Sequence, residues 1–197
     1  MDVAGAGIVE QFERCIAAGG VAVFPADTVY GLACDPRSAS AVERLYALKG
    51  RPADKPAAIM VFSLDALPPL APRTAGAAAA LLPGALTLLV DDPEQRFPLA
   101  GGGTTLGLRV PDQPLLAGVR VPVLQSSANI AGAADARRLA DVPVAIRDGA
   151  DLVIDGGELP GTPSTVVDLT RYEREGAWRV VREGAVDSAT LAAVLND

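Results

Sequence analysis

The segment GGVAVFPADTVYGLACDP, residues 19–36, predicts two short strands joined by a polar turn. Val21–Phe24 is a continuous apolar run that ends at Pro25, because proline cannot donate to a strand ladder. Val29–Ala33 is the second apolar run. The glycine pair that opens the segment can end a helix predicted over Ile8–Ala18, whose apolar residues recur at helical spacing. A helix that leads directly into two strands is typical of domains in which helices cover a sheet.

Helices and strands continue to alternate along the rest of the chain. Ser40 and Glu43 match a capping box and predict a helix that continues to Lys49. Ser63 and Thr74 are predicted as the N-caps of two short helices. Further helices are predicted over Ala133–Ala140, Val144–Asp148 and Asp187–Leu195. Further strands are predicted over Ala57–Phe62, Leu86–Val90, Leu106–Val110, Val121–Gln125, Leu152–Ile154, Thr165–Leu169 and Trp178–Val181.

Several of these strands follow one another without an intervening helix, which favours a mixed sheet over a purely parallel one. The sequence contains no internal repeat and no stretch that resembles a linker between domains. We therefore expect an α/β (α+β) fold in which residues 1–197 form a single domain.

The composition excludes several classes of protein. Half of the 197 residues are apolar and 21% are charged, which is unlike a disordered chain. The 17 basic residues are 15 arginines and two lysines, and there is no histidine. The absence of histidine excludes Ser-His-Asp and Cys-His triads and histidine metal sites. The net charge of −7 argues against a large nucleic-acid-binding surface, although a local basic pocket is compatible with it.

Cellular location is expected to be the cytoplasm. The first residues lack the basic and apolar regions of a signal peptide, and no apolar run is long enough to span a membrane. Cys15 and Cys34 are the only cysteines; their spacing matches no metal or redox motif, and a single disulfide between them stays open.

The segment KGRPADKP, residues 49–56, carries the strongest chemical signal. It places Lys49, Arg51 and Lys55 together in a loop at a helix end. Ammonium and guanidinium groups in such a cluster suit an anion with several oxygens, such as a triphosphate. The alternative is a solvated last helical turn, where cations are favoured by the helix dipole.

A second polar segment, SSAN at residues 126–129, directly follows a predicted buried strand. Polar loops at strand ends are common ligand-binding positions in α/β sheets. The alternative for this segment is an ordinary serine or asparagine turn. Three further segments are weaker on their own: residues 25–31, 163–168 and 181–185.

Taken together, these segments resemble the YrdC/TsaC-type threonylcarbamoyladenylate synthase family. Seven stretches match in the order of the family and cover the chain from Gly20 to Ala185. They are FPADTVYGLACDP, ERLYALKGRPADKP, LLPGALTLLV, LGLRVPD, SSANIAG, PSTVVDLT and VVREGAV. The resemblance implies a YrdC/RibB-like fold, a twisted mixed sheet flanked by helices with a concave cavity. The chain ends soon after the matching region, so we expect it to lack the additional C-terminal domain of longer family members.

The resemblance also implies an activity. ATP, L-threonine and bicarbonate or carbon dioxide would form threonylcarbamoyl-AMP and pyrophosphate. A tRNA threonylcarbamoyltransferase complex would then use the product to make the t6A modification at tRNA position 37. Mg²⁺ would be held chiefly by the nucleotide, so no metal ligand is assigned to the protein. Such a nucleotidyl transfer depends on positioning and charge neutralisation, which agrees with the absence of histidine.

Residue roles follow from the positions that match the family. The catalytic residues would be Lys49, Arg51, Ser127 and Asn129. The nucleotide-binding residues would be Lys49, Arg51, Lys55, Ser127, Asn129, Ser164 and Arg182. The threonine-binding residues would be Thr28, Tyr30 and Thr87. Arg109 would either support the site or be a paired structural arginine.

One position departs from the family pattern. The family often has threonine where this chain has Ala26, so we expect a hydroxyl to be lost near the amino-acid pocket. Two alternative functions remain at this point. One is a protein of the same fold that binds double-stranded RNA or ribosomal particles, and direct RNA binding stays open. The other is a nucleotide-binding paralogue without synthase activity.

Overall fold

A computed structural model describes residues 3–52 and 54–196, with side chains from residue 7 onward. Six α-helices occur in this part of the chain: α1 (Val3–Ala17), α2 (Ala39–Lys49), α3 (Pro72–Leu81), α4 (Val144–Gly149), α5 (Tyr172–Glu175) and α6 (Ser188–Leu195). Nine strands form the sheet: β1 (Ala22–Pro25), β2 (Tyr30–Cys34), β3 (Ala58–Met60), β4 (Leu86–Asp91), β5 (Thr105–Arg109), β6 (Val123–Ser127), β7 (Leu152–Val153), β8 (Thr165–Asp168) and β9 (Arg179–Arg182).

The nine strands form one mixed sheet in the order β7-β1-β2-β6-β3-β5-β4-β8-β9. Three neighbouring pairs are parallel: β1 with β7, β3 with β5, and β4 with β8. The other five neighbouring pairs are antiparallel. The expected mixed sheet with flanking helices is therefore confirmed, whereas the boundaries of the domain stay a prediction.

The two faces of the sheet are covered differently. On one face, apolar residues of α2, α3, α4 and α6 pack with inward-facing strand residues in the larger core cluster. On the other face, α1 packs over one end of the sheet, where Phe12 and Ile16 meet Phe24 and Val123. Gln125 lies two residues beyond Val123 on the same strand and so faces the same side. Polar side chains occupy this uncovered part of the face, and they line a cleft.

Four local predictions are wrong. Helix α2 is capped by Ser38 rather than Ser40, because the Ser38 hydroxyl accepts the Ala41 N–H at 3.3 Å. Thr74 lies inside α3, whose N-cap is Ala71.

The other two errors concern the region around β6. This strand begins at Val123 and includes Ser126 and Ser127, which were expected in a loop. Residues 133–140 do not form an α-helix; only a short 3₁₀ turn occurs there, over Leu139–Asp141. The small and charged residues of that stretch suit several backbone conformations, so its composition did not decide between them.

Both cysteines are free thiols. Burial raises the pKa of the Cys34 thiol to about 12, so this thiol stays protonated at neutral pH. None of the helices in the described part of the chain has the length and apolar character that a membrane span requires.

Phe12 anchors α1 in the apolar cluster beneath the helix. Its ring is fully buried and packs edge-on against the rings of Phe24 and Phe62. We expect Phe12→Ala to lower the free energy of unfolding by about 3–5 kcal/mol, because truncation of a buried phenylalanine leaves a cavity. Urea unfolding measures the loss. Val144→Ala, at a position that is 59% exposed, is the control and should change stability by less than about 0.5 kcal/mol. Equal losses in the two variants would contradict the packing role of Phe12.

Candidate functional site

The basic loop begins where helix α2 ends. Gly50 adopts the left-handed conformation with φ 61°. Its N–H donates to Ala47 O, and the next N–H, of Arg51, donates to Tyr46 O. This is a typical glycine-capped helix end. The cap fixes the direction in which Lys49 leaves the helix and in which Arg51 enters the loop.

The Lys49 ammonium is enclosed by oxygen atoms of the SSAN segment. Its Nζ lies 2.6 Å from Ser127 O, 3.2 Å from Ser127 Oγ, 3.1 Å from Asn129 O and 2.5 Å from Asn129 Oδ1. The backbone adds a further contact, since Ala131 N–H donates to Lys49 O at 2.9 Å. The two segments that the sequence singled out separately are therefore joined through a single side chain.

Burial changes the ionisation of this lysine. The residue is only 4% exposed. Burial, with a smaller contribution from the positive charges of Arg51 and Lys55, lowers the pKa of Lys49 from its ordinary value of 10.5 to about 8, and Asp135 opposes this shift. Lys49 thus carries its charge at neutral pH but loses it far more readily than an exposed lysine.

Arg51 is held over the loop that follows it. Its guanidinium donates to the carbonyl oxygens of Lys55 and Pro56 and lies 5.6 Å from the ring centroid of Tyr46. The Tyr46 hydroxyl donates to the same Lys55 carbonyl at 2.9 Å. Arg51 lines the cleft, whereas Lys55 is exposed and does not line it.

A buried ion pair holds one of the arginines of the cleft wall, Arg109. Arg109 donates to Asp27 Oδ1 at 2.6 Å, and the side chains of both are about 5% exposed. Arg109 also donates to Gln125 Oε1 at 3.2 Å, while its Nε has no partner among the described residues. Burial lowers the pKa of Arg109, and the Asp27 carboxylate opposes this effect. The paired structural role left open for Arg109 is thus present, and its side chain also reaches the cleft.

The wall of the cleft opposite the basic loop is formed by residues of β4, β8 and β9. Thr87 is paired with Val166, and Val166 with Arg182. The Thr87 and Ser164 hydroxyls are 2.9 Å apart, and Arg182 donates to Ser164 O at 2.6 Å and to Ser164 Oγ at 3.1 Å. Three predicted site residues are thereby brought together by hydrogen bonds.

The cleft has a volume of about 180 Å³ and is lined mostly by polar groups. Of the predicted site residues, the structure places six on its wall: Thr28, Arg51, Thr87, Ser127, Ser164 and Arg182. Lys49 and Asn129 lie buried behind Ser127 and do not line the cleft. Both ends of the Asn129 amide are engaged, because Oδ1 accepts from Lys49 and Ser127 and Nδ2 donates to Ala133 O.

Tyr30 is also outside the cleft. Its ring is completely buried in the larger core. Its hydroxyl lies 3.0 Å from Asp155 Oδ1 and 2.9 Å from Gly157 O, and it accepts the Gly156 N–H at 3.0 Å. In this structure Tyr30 fastens a loop, and its threonine-binding role stays a prediction.

Ala26 occupies a different place from the expected one. Its side chain is fully buried in the apolar cluster beneath α1, beside Phe24 and Leu116. The residue does not line the cleft. A hydroxyl at position 26 would therefore lie in an apolar environment, and its absence removes no polar group from the wall of this cleft.

Two wall residues, Gln125 and Asp135, had no assigned function in the sequence, and neither had Asp27, the buried partner of Arg109. Gln125 reaches Arg109 because Gly31 on the neighbouring strand has no side chain; a Cβ there would lie 3.2 Å from Gln125 Nε2. Asp135 lies in the stretch that was misassigned as a helix. Polar residues within apolar strands were the available signal for Gln125, whereas the ion pair of Asp27 needs the fold to bring together residues 82 positions apart.

Three guanidinium groups, from Arg51, Arg109 and Arg182, line the cleft, and the Lys49 ammonium lies behind it. One carboxylate on the wall, that of Asp135, opposes them, and the charge of Arg109 is neutralised by its pairing with the buried Asp27. The fold and the cleft thus define a class: α/β proteins in which a mixed sheet leaves one cationic, polar face open to a ligand with several anionic oxygens.

The chain belongs to the Sua5/YciO/YrdC family. The sequence model of that family, whose description reads "Telomere recombination", matches residues 14–184. A Pyrococcus abyssi protein named threonylcarbamoyl-AMP synthase is 33% identical over 180 residues, which cover 83% of this chain and 53% of the relative. A Pseudomonas aeruginosa protein of the same name is 36% identical over 171 residues, which cover 79% of this chain and 89% of the relative. The chain therefore spans about half of one relative and most of the other.

Solved structures agree with the family assignment. The crystal structure of Pyrococcus abyssi Sua5 complexed with L-threonine superposes with a TM-score of 0.85 at 29% identity, covering 98% of this chain and 58% of that one. The crystal structure of Escherichia coli YciO superposes with a TM-score of 0.80 at 26% identity, covering 95% of this chain and 93% of that one.

The lowered pKa of Lys49 can be measured directly. Because the chain has only two lysines, selective ¹³C labelling of lysine should give two side-chain signals. We expect one to titrate near pH 8 and to be absent from the spectrum of Lys49→Arg. Lys55→Arg is the matched control and should retain that signal. Titration of both signals at the ordinary value of 10.5 would contradict the enclosed environment of Lys49.

Proposed function

We propose that the protein is an L-threonylcarbamoyladenylate synthase, a nucleotidyltransferase that makes threonylcarbamoyl-AMP and pyrophosphate from ATP, L-threonine and bicarbonate or carbon dioxide. The observation that carries the proposal is the joining of Lys49 to Ser127 and Asn129 beside Arg51, at the wall of a cationic cleft. The names of the curated relatives and the Sua5 complex with L-threonine support it.

The proposed reaction has two steps. The threonine amine attacks carbon dioxide, forms a carbamate and loses a proton to solvent. A carbamate oxygen then attacks the α-phosphorus of ATP, the bond from that phosphorus to the β-phosphate oxygen breaks, and pyrophosphate leaves. Such a transfer needs aligned reactants and neutralised phosphate charge more than a strong base.

In the proposal, different residues bind the phosphates and hold the binding groups in position. Arg51 and Arg182 reach the cleft and offer guanidinium groups to the triphosphate. Lys49 and Asn129 are enclosed, so they hold Ser127 in place and put a positive charge beneath it. Lys55 lies at the exposed end of the basic loop, where its flexible side chain can reach the terminal phosphates.

Threonine would occupy the remaining part of the cleft. Thr28 and Thr87 present hydroxyl groups to it, and Thr87 shares a hydrogen bond with Ser164. Arg109 also lines the cleft, with its guanidinium 3.4 Å from Thr28 Oγ1, and a guanidinium suits a carboxylate. Tyr30 would contribute from behind this wall.

Mg²⁺ enters the proposal as the counterion of ATP. Within residues 3–52 and 54–196, no group of three or more cysteine, aspartate or glutamate side chains could hold a metal ion. The donor set instead fits a hydrated ion that is bound mainly by phosphates, which is the usual state of Mg²⁺ in nucleotide sites. When bound, the ion would neutralise part of the triphosphate charge.

The use of the product also belongs to the proposal. Threonylcarbamoyl-AMP is a reactive mixed anhydride, so a tRNA threonylcarbamoyltransferase complex in the cytoplasm would consume it for t6A formation. Direct RNA binding is not part of the proposal, because the net charge is −7 and the cationic residues are concentrated in a narrow cleft.

A pyrophosphate-release assay tests the proposed activity. Release should require ATP, L-threonine and bicarbonate together and should fall to background when any one is omitted. Threonine-independent release, or none from folded protein, would overturn the proposal. Nucleotide binding without pyrophosphate release would indicate the inactive paralogue. No ATP-dependent turnover, together with a salt-sensitive electrophoretic mobility shift with RNA, would indicate the RNA-binding alternative.

Arg51→Ala tests the basic loop. We expect it to lower turnover at least ~100-fold, because it removes a charge that faces the developing pyrophosphate. The fold should be kept, since Arg51 is only partly buried. Arg120→Ala is the matched control, because Arg120 is exposed and does not line the cleft; its turnover should be unchanged. Near-normal turnover of Arg51→Ala, measured at saturating substrates, would exclude the phosphate role.

A further inference from the structure

Asp135 is an unpaired carboxylate in a cationic cleft. It lies on the wall, partly buried, and forms no hydrogen bond or ion pair with any described residue within the distances that define one. The carboxylate of Asp27, which is bonded to the wall residue Arg109, does not itself line the cleft. Asp135 is thus the one acidic side chain among the described wall residues that is available to a ligand.

The position of Asp135 is built rather than incidental. Two residues before it, Ala133 O accepts from Asn129 Nδ2 at 2.6 Å. One residue after it, Ala136 O accepts from Tyr30 N at 2.9 Å. The backbone is therefore fixed on both sides of the carboxylate by residues of the site and of the core.

A lone carboxylate here works against binding of a polyanion. Two like charges a few ångströms apart repel each other, and they do so more strongly near a protein surface than in bulk water. Like charges of Asp135 and a triphosphate therefore repel each other. The repulsion becomes attraction if a cation lies between them, and Mg²⁺ usually combines one or two carboxylates with substrate phosphates.

We propose that Asp135 is a ligand of the divalent metal ion that enters the cleft with the nucleotide, either directly or through a bound water. The inference rests on the part of the proposed function in which the cleft binds ATP, but not on the synthase reaction. It differs from the sequence-based expectation that the protein contributes no metal ligand.

The test is the coupling between metal and nucleotide binding. Isothermal titration calorimetry gives the Kd of ATP for wild type and for Asp135→Asn, with excess Mg²⁺ and with EDTA, and without threonine or bicarbonate. We expect Asp135→Asn to bind metal-free ATP about 3- to 10-fold more tightly, because the repulsion is gone, and to bind MgATP about 3- to 10-fold more weakly. The Kd of metal-free ATP divided by the Kd of MgATP should therefore fall by about 10- to 100-fold.

Two variants serve as controls. Asp148→Asn removes an exposed carboxylate that is not on the cleft wall and should leave the ratio unchanged. Asp135→Glu keeps a carboxylate and should retain most of the coupling, which also tests the proposal if the asparagine variant does not fold. Electron paramagnetic resonance of Mn²⁺ supplies an independent measure, since Asp135→Asn should leave more Mn²⁺ free at equal ATP.

Three outcomes of these binding measurements would overturn the inference. An unchanged ratio in Asp135→Asn would exclude a metal ligand. Tighter binding of both ATP and MgATP by the same factor would make Asp135 a purely repulsive group. Weaker threonine binding with an unchanged ratio would assign the carboxylate to the amino-acid ammonium. Failure of the synthase reaction alone would leave the coupling intact, so the two failures are distinguishable.

Discussion

The enclosure of one ammonium group holds the site together. Lys49 is the last residue of α2, and its Nζ contacts four oxygen atoms of Ser127 and Asn129. A lysine has three N–H donors, so this contact uses the whole hydrogen-bonding capacity of the group. Removing a paired charge from water is costly, and only such complete coordination offsets that cost. The basic loop, the end of β6 and the loop that carries Asp135 all take their positions from this contact.

The sheet explains why the cleft is polar and open. Along β6, Val123 belongs to the apolar cluster beneath α1, whereas Gln125, two residues on, faces the cleft. The change from apolar to polar on one face coincides with the end of the α1 cover. Arg109 illustrates how polar groups survive there: its charge is buried but paired with Asp27 and bonded to Gln125. Because these polar groups are confined to the face that carries the cleft, the face covered by α2, α3, α4 and α6 forms the larger apolar core.

Much of the fold and part of the site followed from the sequence. Apolar runs identified the strands, because a run such as Val21–Phe24 has few alternatives, and glycine marked the end of α2. Residues 133–140 were misassigned, since their backbone is held by the side chain of Asn129 and by the distant Tyr30 rather than by helical hydrogen bonds. The family resemblance located the basic loop and the SSAN segment. It did not show that Lys49 is turned away from the cleft, because side-chain direction depends on the packing between α2 and β6.

Tyr30 connects the buried core to three loops at once. Its backbone donates to Ala136 O and accepts from Ala128 N, and its hydroxyl holds the loop at Asp155–Gly157. The ring itself is fully buried, so the residue cannot move without disturbing the core. The loops that Tyr30 contacts therefore belong to one cooperative unit with the centre of the sheet. We therefore expect their amide protons to exchange with solvent through openings shared with the core rather than through independent fraying.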